Sequence, residues 1–142
     1  MMKIERFEHL EAWKKAREMT KRVYVVTSSG KFSKDLGLRG QIRGSAVSSM
    51  SNIAEGFERG GDRQFLQFLA MAKGSTGEVR SQLYVALDAG YLSQTEFDEL
   101  YRLATETSRL IGGLMRYLKN ADLNGTKSKK SQDRSSKAGR DL

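Results

Sequence analysis

The sequence predicts an all-α protein, an antiparallel up-down-up-down four-helix bundle with a disordered basic C-terminal tail. Three observations carry that prediction. The 142 residues include no proline, where average usage would give about seven, and proline is the residue that breaks helix interiors. Four segments repeat apolar residues at alternating steps of three and four, the period of a helix stripe. No two-residue alternation persists anywhere, so no strand is predicted. Helices of about 20 to 30 residues joined by short turns pack as antiparallel neighbours. The expected division is a bundle over 1–119 and a tail over 120–142.

The first helix is expected over 7–27, with Leu10, Trp13, Ala16, Thr20, Val23 and Tyr24 facing inward, and Ser28-Ser29-Gly30 ending it. The second runs over 34–58. Ser33 is its candidate N-cap, Leu38, Ile42, Ala46, Ser49, Ile53 and Phe57 form its inner face, and Gly60-Gly61 stop it. The third carries Phe65, Leu69, Ala72, Thr76, Val79, Leu83 and Ala86 on one stripe. Asp62 favours its N-terminal dipole, and Gly90 ends it with Tyr91 packing back. The fourth runs over 93–119. Ser93 and Glu96 form a capping box, and Phe97, Tyr101, Ala104, Ser108, Ile111, Met115 and Leu118 form its stripe, widened by Leu100 and Leu114. From Asn120 onward the chain is rich in Lys, Ser, Asp and Gly with almost no apolar content, the composition of a disordered tail.

Several residue types exclude chemistry. There is no cysteine, hence no disulfide, thiol nucleophile or thiolate metal site. The only histidine, His9, rules out multi-histidine metal clusters. Glu55 and Glu78 are candidates to project inward, but neither is followed three residues later by histidine, as carboxylate-bridged metal bundles require. The glycine-rich stretches at 37–40 and 56–61 lack the Gly-Lys-Ser/Thr ending of a phosphate loop, and no Gly-x-Ser-x-Gly elbow occurs. The expectation is a protein without catalytic site, metal or cofactor. The N-terminus has no apolar run of a secretion signal, and no stretch approaches the roughly 20 apolar residues of a membrane span, so the cytoplasm is the expected compartment.

The net charge is +8, of which residues 1–119 carry +5 and residues 120–142 carry +3. A basic domain with a basic tail suits a polyanion such as RNA or DNA, and charge alone does not separate that reading from solubility. Lys14, Arg17 and Lys21 recur at helical spacing on the first helix, with Lys15 and Arg22 beside them. Glu11 and Glu18 stand four residues before Lys15 and Arg22, so a salt-bridged solvated face and a binding face are both open there. Arg39 and Arg43 are one turn apart on the second helix with fewer acidic neighbours, and Arg59 and Arg63 cluster at the second turn. Lys127, Lys129 and Lys130 make the tail a candidate phosphate clamp.

Small residues are frequent. Gly40, Gly44, Ser48 and Ser51 share a side of the second helix, Ala70, Gly74 and Gly77 lie on the third, and Gly112-Gly113 on the fourth. Each interior glycine costs up to about 1 kcal/mol relative to alanine. Close approach of a backbone explains that cost, either within the bundle or across a subunit interface. Leu66, Tyr84 and Leu87 lie off the main stripe, as an interface would place them.

Trp13, Phe32, Gly37-Leu38, Gln41-Ile42-Arg43, Ser51-Asn52-Ile53-Ala54-Glu55-Gly56, Arg59, Phe65-Leu66-Gln67-Phe68-Leu69, Gly74-Ser75, Glu78, Gln82-Leu83 and Gly90-Tyr91 together resemble the four-helix-bundle proteins encoded in 23S ribosomal RNA intervening sequences. That family includes the accessory variability proteins of diversity-generating retroelements. The resemblance spans residues 7–118, and the Asn-Ile-Ala-Glu-Gly run is its most specific part. It implies a bundle that assembles as a ring, commonly a homopentamer, without enzymatic activity. For the retroelement branch it implies binding to RNA or DNA and to a reverse transcriptase; for the intervening-sequence branch it implies no defined role, and a structural or protein-interaction module is the alternative. Ser33 stands where the family usually has proline, Gly44 where it has a second arginine, and Ser49-Met50 where it has Ile-Pro; Thr76-Gly77 also departs from its pattern. Trp13, Gly74 and Ser75 are expected to serve structure or assembly, as are Asn52, Glu55 and Glu78, these three through inter-helix or inter-subunit hydrogen bonds.

Overall fold

The computed structural model describes residues 4–132, with side chains for 4–121. Helices α1 (Glu11–Val26), α2 (Leu36–Glu58), α3 (Asp62–Asp88) and α4 (Gln94–Gln132) pack in sequence as an up-down-up-down bundle, and short 3-10 turns at Phe7–His9 and Phe32–Lys34 precede α1 and α2. Each helix packs on its chain neighbours, and α4 closes the square against α1. No strand is present among the described residues.

The third helix buries the seven residues that its period marks, from Phe65 to Ala86. On α1 the buried face is Ala12, Ala16, Met19, Thr20 and Val23. Tyr24, expected inside, is 41% exposed, and fully buried Met19 takes the interior place. On α4, Leu103 and Thr107 are buried, whereas Tyr101 and Met115 are only partly so. Leu66 and Leu87 also prove half-buried against the core; of that trio only Tyr84 is exposed.

The core divides into two apolar clusters. Met19, Val23, Phe32, Ile42, Val79, Leu83 and Leu100 fill one end. Leu10, Ala16, Ile53, Leu69 and Ile111 fill the other. Between them the helices bury hydroxyl groups. Thr76 donates to Ala72 O at 2.8 Å, so its oxygen accepts from Ser49 Oγ at 2.9 Å. Thr20 Oγ1 lies 2.8 Å from Ala16 O and 3.1 Å from Ala46 O, which ties α1 to α2. Thr107 donates to Leu103 O at 2.7 Å. Every one of these hydroxyls has a partner, which removes the cost of burying it.

The helix ends follow local chemistry. Asp35, not Ser33, caps α2: its Oδ1 accepts from Leu38 N at 3.0 Å, while the Ser33 hydroxyl turns back to Gly30 O at 2.7 Å. Asp outcompetes Ser here because a carboxylate also meets the positive end of the helix dipole. Gly60, with φ 87°, makes the left-handed bend that turns α2 into α3. At the end of α3, Gly90 has φ 80°, its N–H reaches Leu87 O at 3.0 Å, and Tyr91 N reaches Ala86 O at 2.8 Å. That is the paired bonding of a Schellman cap. Ser93 and Glu96 cap α4 reciprocally, at 2.9 and 3.1 Å. The sequence reading ends the fourth helix at Lys119; the helix continues to Gln132, since no proline interrupts it and Gly125 alone does not stop it. Of the tail assigned to 120–142, residues 133–142 lie outside the described residues.

Candidate nucleic-acid interface

The outer face between α1 and α2 gathers cations without counter-charges. Thr20 bonded to Ala46 O fixes how these helices face each other. On α2 no acidic residue occurs between Asp35 and Glu55, and Asp35, one turn before Arg39, is engaged by Leu38 N and the Tyr91 hydroxyl. Arg43 instead donates from Nε to Thr27 Oγ1 at 2.8 Å and from Nη2 to Ser28 Oγ at 3.2 Å. Its guanidinium lies over the Tyr24 ring, 4.3 Å from the centroid. Arg39 donates from Nη1 to Ser33 O at 2.9 Å. These neutral acceptors orient both guanidinium groups and leave their charge intact. One turn and more along α1 from Tyr24, Lys21 and Arg17 are exposed, and Arg17 lies 5.7 Å from the Trp13 ring centroid. Among the described residues, none of Arg17, Lys21, Arg39 and Arg43 is ion-paired. Uncompensated cations interleaved with aromatic rings suit a phosphate backbone bearing bases.

The other basic candidates separate from this face. Lys15 and Arg22 point toward α4. Lys15 meets Glu18 at 3.2 Å and Glu106 at 3.3 Å, and Arg22 meets Glu99. The Glu18 and Glu106 carboxylates hold the Lys15 ammonium above its ordinary range. Arg102, then Lys15, hold the Glu106 carboxyl below its own. Lys14 meets Glu11 at 3.3 Å. The i+4 pairings of Lys15 with Glu11 and Arg22 with Glu18 therefore do not form; partners on α4 replace them. Arg59 sits at the far end of the bundle, bonded to Glu55 at 2.9 Å and lying over the Phe68 ring. Arg63 is exposed in the first turn of α3, away from Arg39 and Arg43. The side chains of Lys127, Lys129 and Lys130 lie outside those described.

The residues expected to serve structure, Trp13 apart, lie on α2 and α3. Asn52 bonds within α2, to Ser48 O at 2.9 Å and Ser48 Oγ at 3.0 Å. Ser48 and Ser75 hydroxyls meet across the helices at 3.0 Å. Glu78 and Glu55 are exposed rather than directed inward; Ser45 donates to Glu78 at 3.4 Å. An open groove of about 510 Å³ between these helices is lined by Gly40, Gln41, Gly44, Ser45, Ser48, Glu78 and Gln82. A Cβ placed at Gly40, Gly44 or Gly74 would meet nothing within 4 Å, so packing within the chain does not require these glycines. Gly56 is the opposite case, with Phe68 Cβ only 2.6 Å from such an atom. Trp13 is half-buried, its ring edge-on to Phe7 at 5.2 Å.

Reading the sequence missed Tyr24 as part of the basic face. The signal was its place seven and four residues after Arg17 and Thr20, on the edge that α2 passes. No helix among the described residues is long and apolar enough to cross a membrane.

The comparisons with known proteins agree with this architecture. The family model described as 23S rRNA-intervening sequence protein matches residues 8–113. A solved protein of unknown function from the S23 ribosomal protein family of Bacteroides thetaiotaomicron superposes with a TM-score of 0.69 at 19% identity, over 74% of this chain and 95% of its own. No curated protein matches the chain.

Proposed function

The chain belongs to the 23S rRNA-intervening sequence protein family, and from that premise we propose that it binds RNA or DNA through the α1/α2 face and acts by binding, without catalysis. One observation carries this reading. Arg39 and Arg43 are held by a carbonyl and two hydroxyls, with no carboxylate to neutralise them. Cations so placed release counterions when they meet phosphates, which drives association. In the retroelement branch of the resemblance, such a bundle serves a reverse transcriptase that copies a template RNA, and we assign this chain that accessory role.

The same proposal includes self-assembly into a ring, as a homopentamer, through the α2/α3 face. The open space beside Gly40, Gly44 and Gly74 supports it, because glycine there gains nothing inside one chain and admits a second helix closely. Met71, one turn before Ser75, is 53% exposed on this side. A groove lined by small and uncharged residues, with Glu78 its one charged member, lets like-charged subunits meet.

The test is titration of a fluorescent structured RNA with the full chain and with Arg39→Ala/Arg43→Ala, over a range of salt. The variant should fold and assemble normally, bind about tenfold more weakly, and lose about 1.4 to 1.8 units of log–log salt slope. Unchanged affinity at low salt removes this face from the site. Failure of the wild type to bind any nucleic acid removes the function and favours a protein-interaction module. Failure of a purified reverse transcriptase to bind the assembled protein removes the accessory role alone.

A further inference from the structure

We infer that the α3/α4 seam is a second phosphate-binding surface, separate from the α1/α2 face, and that it holds the backbone of a nucleic-acid strand. The inference rests on the nucleic-acid reading above and adds a site to it. Two cationic side chains meet on this seam, and a third, Arg80, lies farther along α3. A Cβ placed on Gly112 would stand 3.6 Å from Arg116 Nη1 and 3.7 Å from Lys73 Cε, so the ends of Arg116 and Lys73 meet over a glycine. Arg116 Nη2 lies 3.7 Å from the same position on Gly113, and Arg80 Nη2 lies 3.8 Å from that on Gly77. The missing side chains at Gly77, Gly112 and Gly113 give these long cations a flat surface to lie on.

Like charges drawn together need a counter-charge, and none is present among the described residues. Lys73, Arg80 and Arg116 form no ion pair among the described residues. On α3 no acidic residue occurs between Asp62 and Glu78, and on α4 none occurs between Glu106 and Asp122. Exposed Arg109 and Lys119 extend the positive stretch of α4. The antiparallel register that sets Tyr84 against Tyr101, with ring centroids 5.5 Å apart, and Lys73 against Gly112 places Arg80 opposite Thr105. Arg80 Nε and Thr105 Oγ1 are both buried without a partner, so the seam is polar to its floor. Seven positions separate Lys73 from Arg80, about 10 Å of helix.

The test compares the full chain with Lys73→Ala/Arg116→Ala and Arg39→Ala/Arg43→Ala, using a fluorescent 20-nucleotide single-stranded RNA, with melting curves to confirm folding. Each pair should weaken binding about fivefold or more and flatten the salt slope by about 1.4 units, and the two losses should multiply in the quadruple variant. Lys73→Arg/Arg116→Lys should bind as wild type, which separates charge from packing. Wild-type affinity and slope in Lys73→Ala/Arg116→Ala, alongside a loss in Arg39→Ala/Arg43→Ala, overturns the inference and leaves the function standing. No RNA binding by the wild type overturns both. Inorganic tripolyphosphate distinguishes the ligand source: if Lys73→Ala/Arg116→Ala loses thermal protection by tripolyphosphate yet keeps full RNA affinity, the nucleic-acid assignment of the seam is wrong.

Discussion

One carboxylate joins two helix ends: Asp35 Oδ2 accepts from the Tyr91 hydroxyl at 2.9 Å while its Oδ1 accepts from Leu38 N at 3.0 Å. The N-terminus of α2 is thereby fastened to the residue that closes the Schellman cap of α3. The Tyr91 ring also rests on Phe32, centroids 5.3 Å apart. The Leu38 N–H, then the Tyr91 hydroxyl, hold the Asp35 carboxyl below its ordinary value of 3.8. The same bond to Asp35 raises the Tyr91 phenol above its ordinary 10.0.

The signs of these shifts set a pH window. A depressed carboxylate stabilises the fold above its ordinary value and loses that contribution as pH falls through the folded one. A raised phenol contributes below its ordinary value and loses it as pH rises through the folded one. The melting-temperature gap between wild type and Tyr91→Phe should therefore be flat between about pH 5 and 9 and narrow on both sides. A gap of constant size from about pH 3 to 11 would show that the bond is not coupled to either charge.

Ser49 and Thr76 form a buried pair in which Thr76 donates to Ala72 O and the Ser49 hydroxyl depends on Thr76 for its acceptor. Thr76→Val strips Ser49 of its acceptor and should cost about 1–3 kcal/mol in a denaturant titration. Ser49→Ala/Thr76→Val should cost less than the two single changes summed, since no orphaned hydroxyl remains. Strict additivity would mean that Ser49 finds another acceptor.

Two glycines of α2 should respond in opposite directions. Gly56→Ala drives a methyl group into Phe68 Cβ and the Phe65 ring, and should destabilise the chain by about 1–3 kcal/mol. Gly44→Ala meets open space and should stabilise a dilute, unassembled chain by about 0.4–1 kcal/mol. Gly44→Leu should lower the assembled fraction in sedimentation velocity. An assembly indifferent to leucine at 44 would place the subunit contact elsewhere.

Lys15→Ala/Arg22→Ala should change RNA affinity less than twofold, because Glu18, Glu106 and Glu99 already occupy both charges. Lys21→Ala should weaken binding more than either. A loss from Lys15→Ala/Arg22→Ala as large as that from Arg39→Ala/Arg43→Ala would show that RNA displaces those carboxylates.

The buried stripe of the third helix was legible because Phe65 through Ala86 follow one unbroken period, but the half-burial of Leu66 and Leu87 beside it was not. Tyr24 was not. It follows Val23 at an edge where an aromatic ring also fits the interior period, and the passage of Arg43 over its ring decides between that and the face it shares with Arg17. The basic face was half legible. Helical spacing places Lys14, Lys15, Arg17, Lys21 and Arg22 on α1, but spacing within one helix cannot reveal partners on another. The Arg22–Glu99 contact spans 77 residues of chain. The meeting of Lys73 and Arg116 over Gly112 depends on the register between two helices, which neither helix encodes alone.

The bend at Gly60 has a bearing on how the chain reaches this state. Only residues 59–61 separate α2 from α3, and the Ser48–Ser75 and Ser49–Thr76 bonds each join residues 27 apart. Docking α1 on α4 closes a far longer loop, and the entropic cost of closure rises with loop length. The α2/α3 hairpin, joined by the shortest connection in the bundle, is thus the pair of helices that costs the unfolded chain least to close.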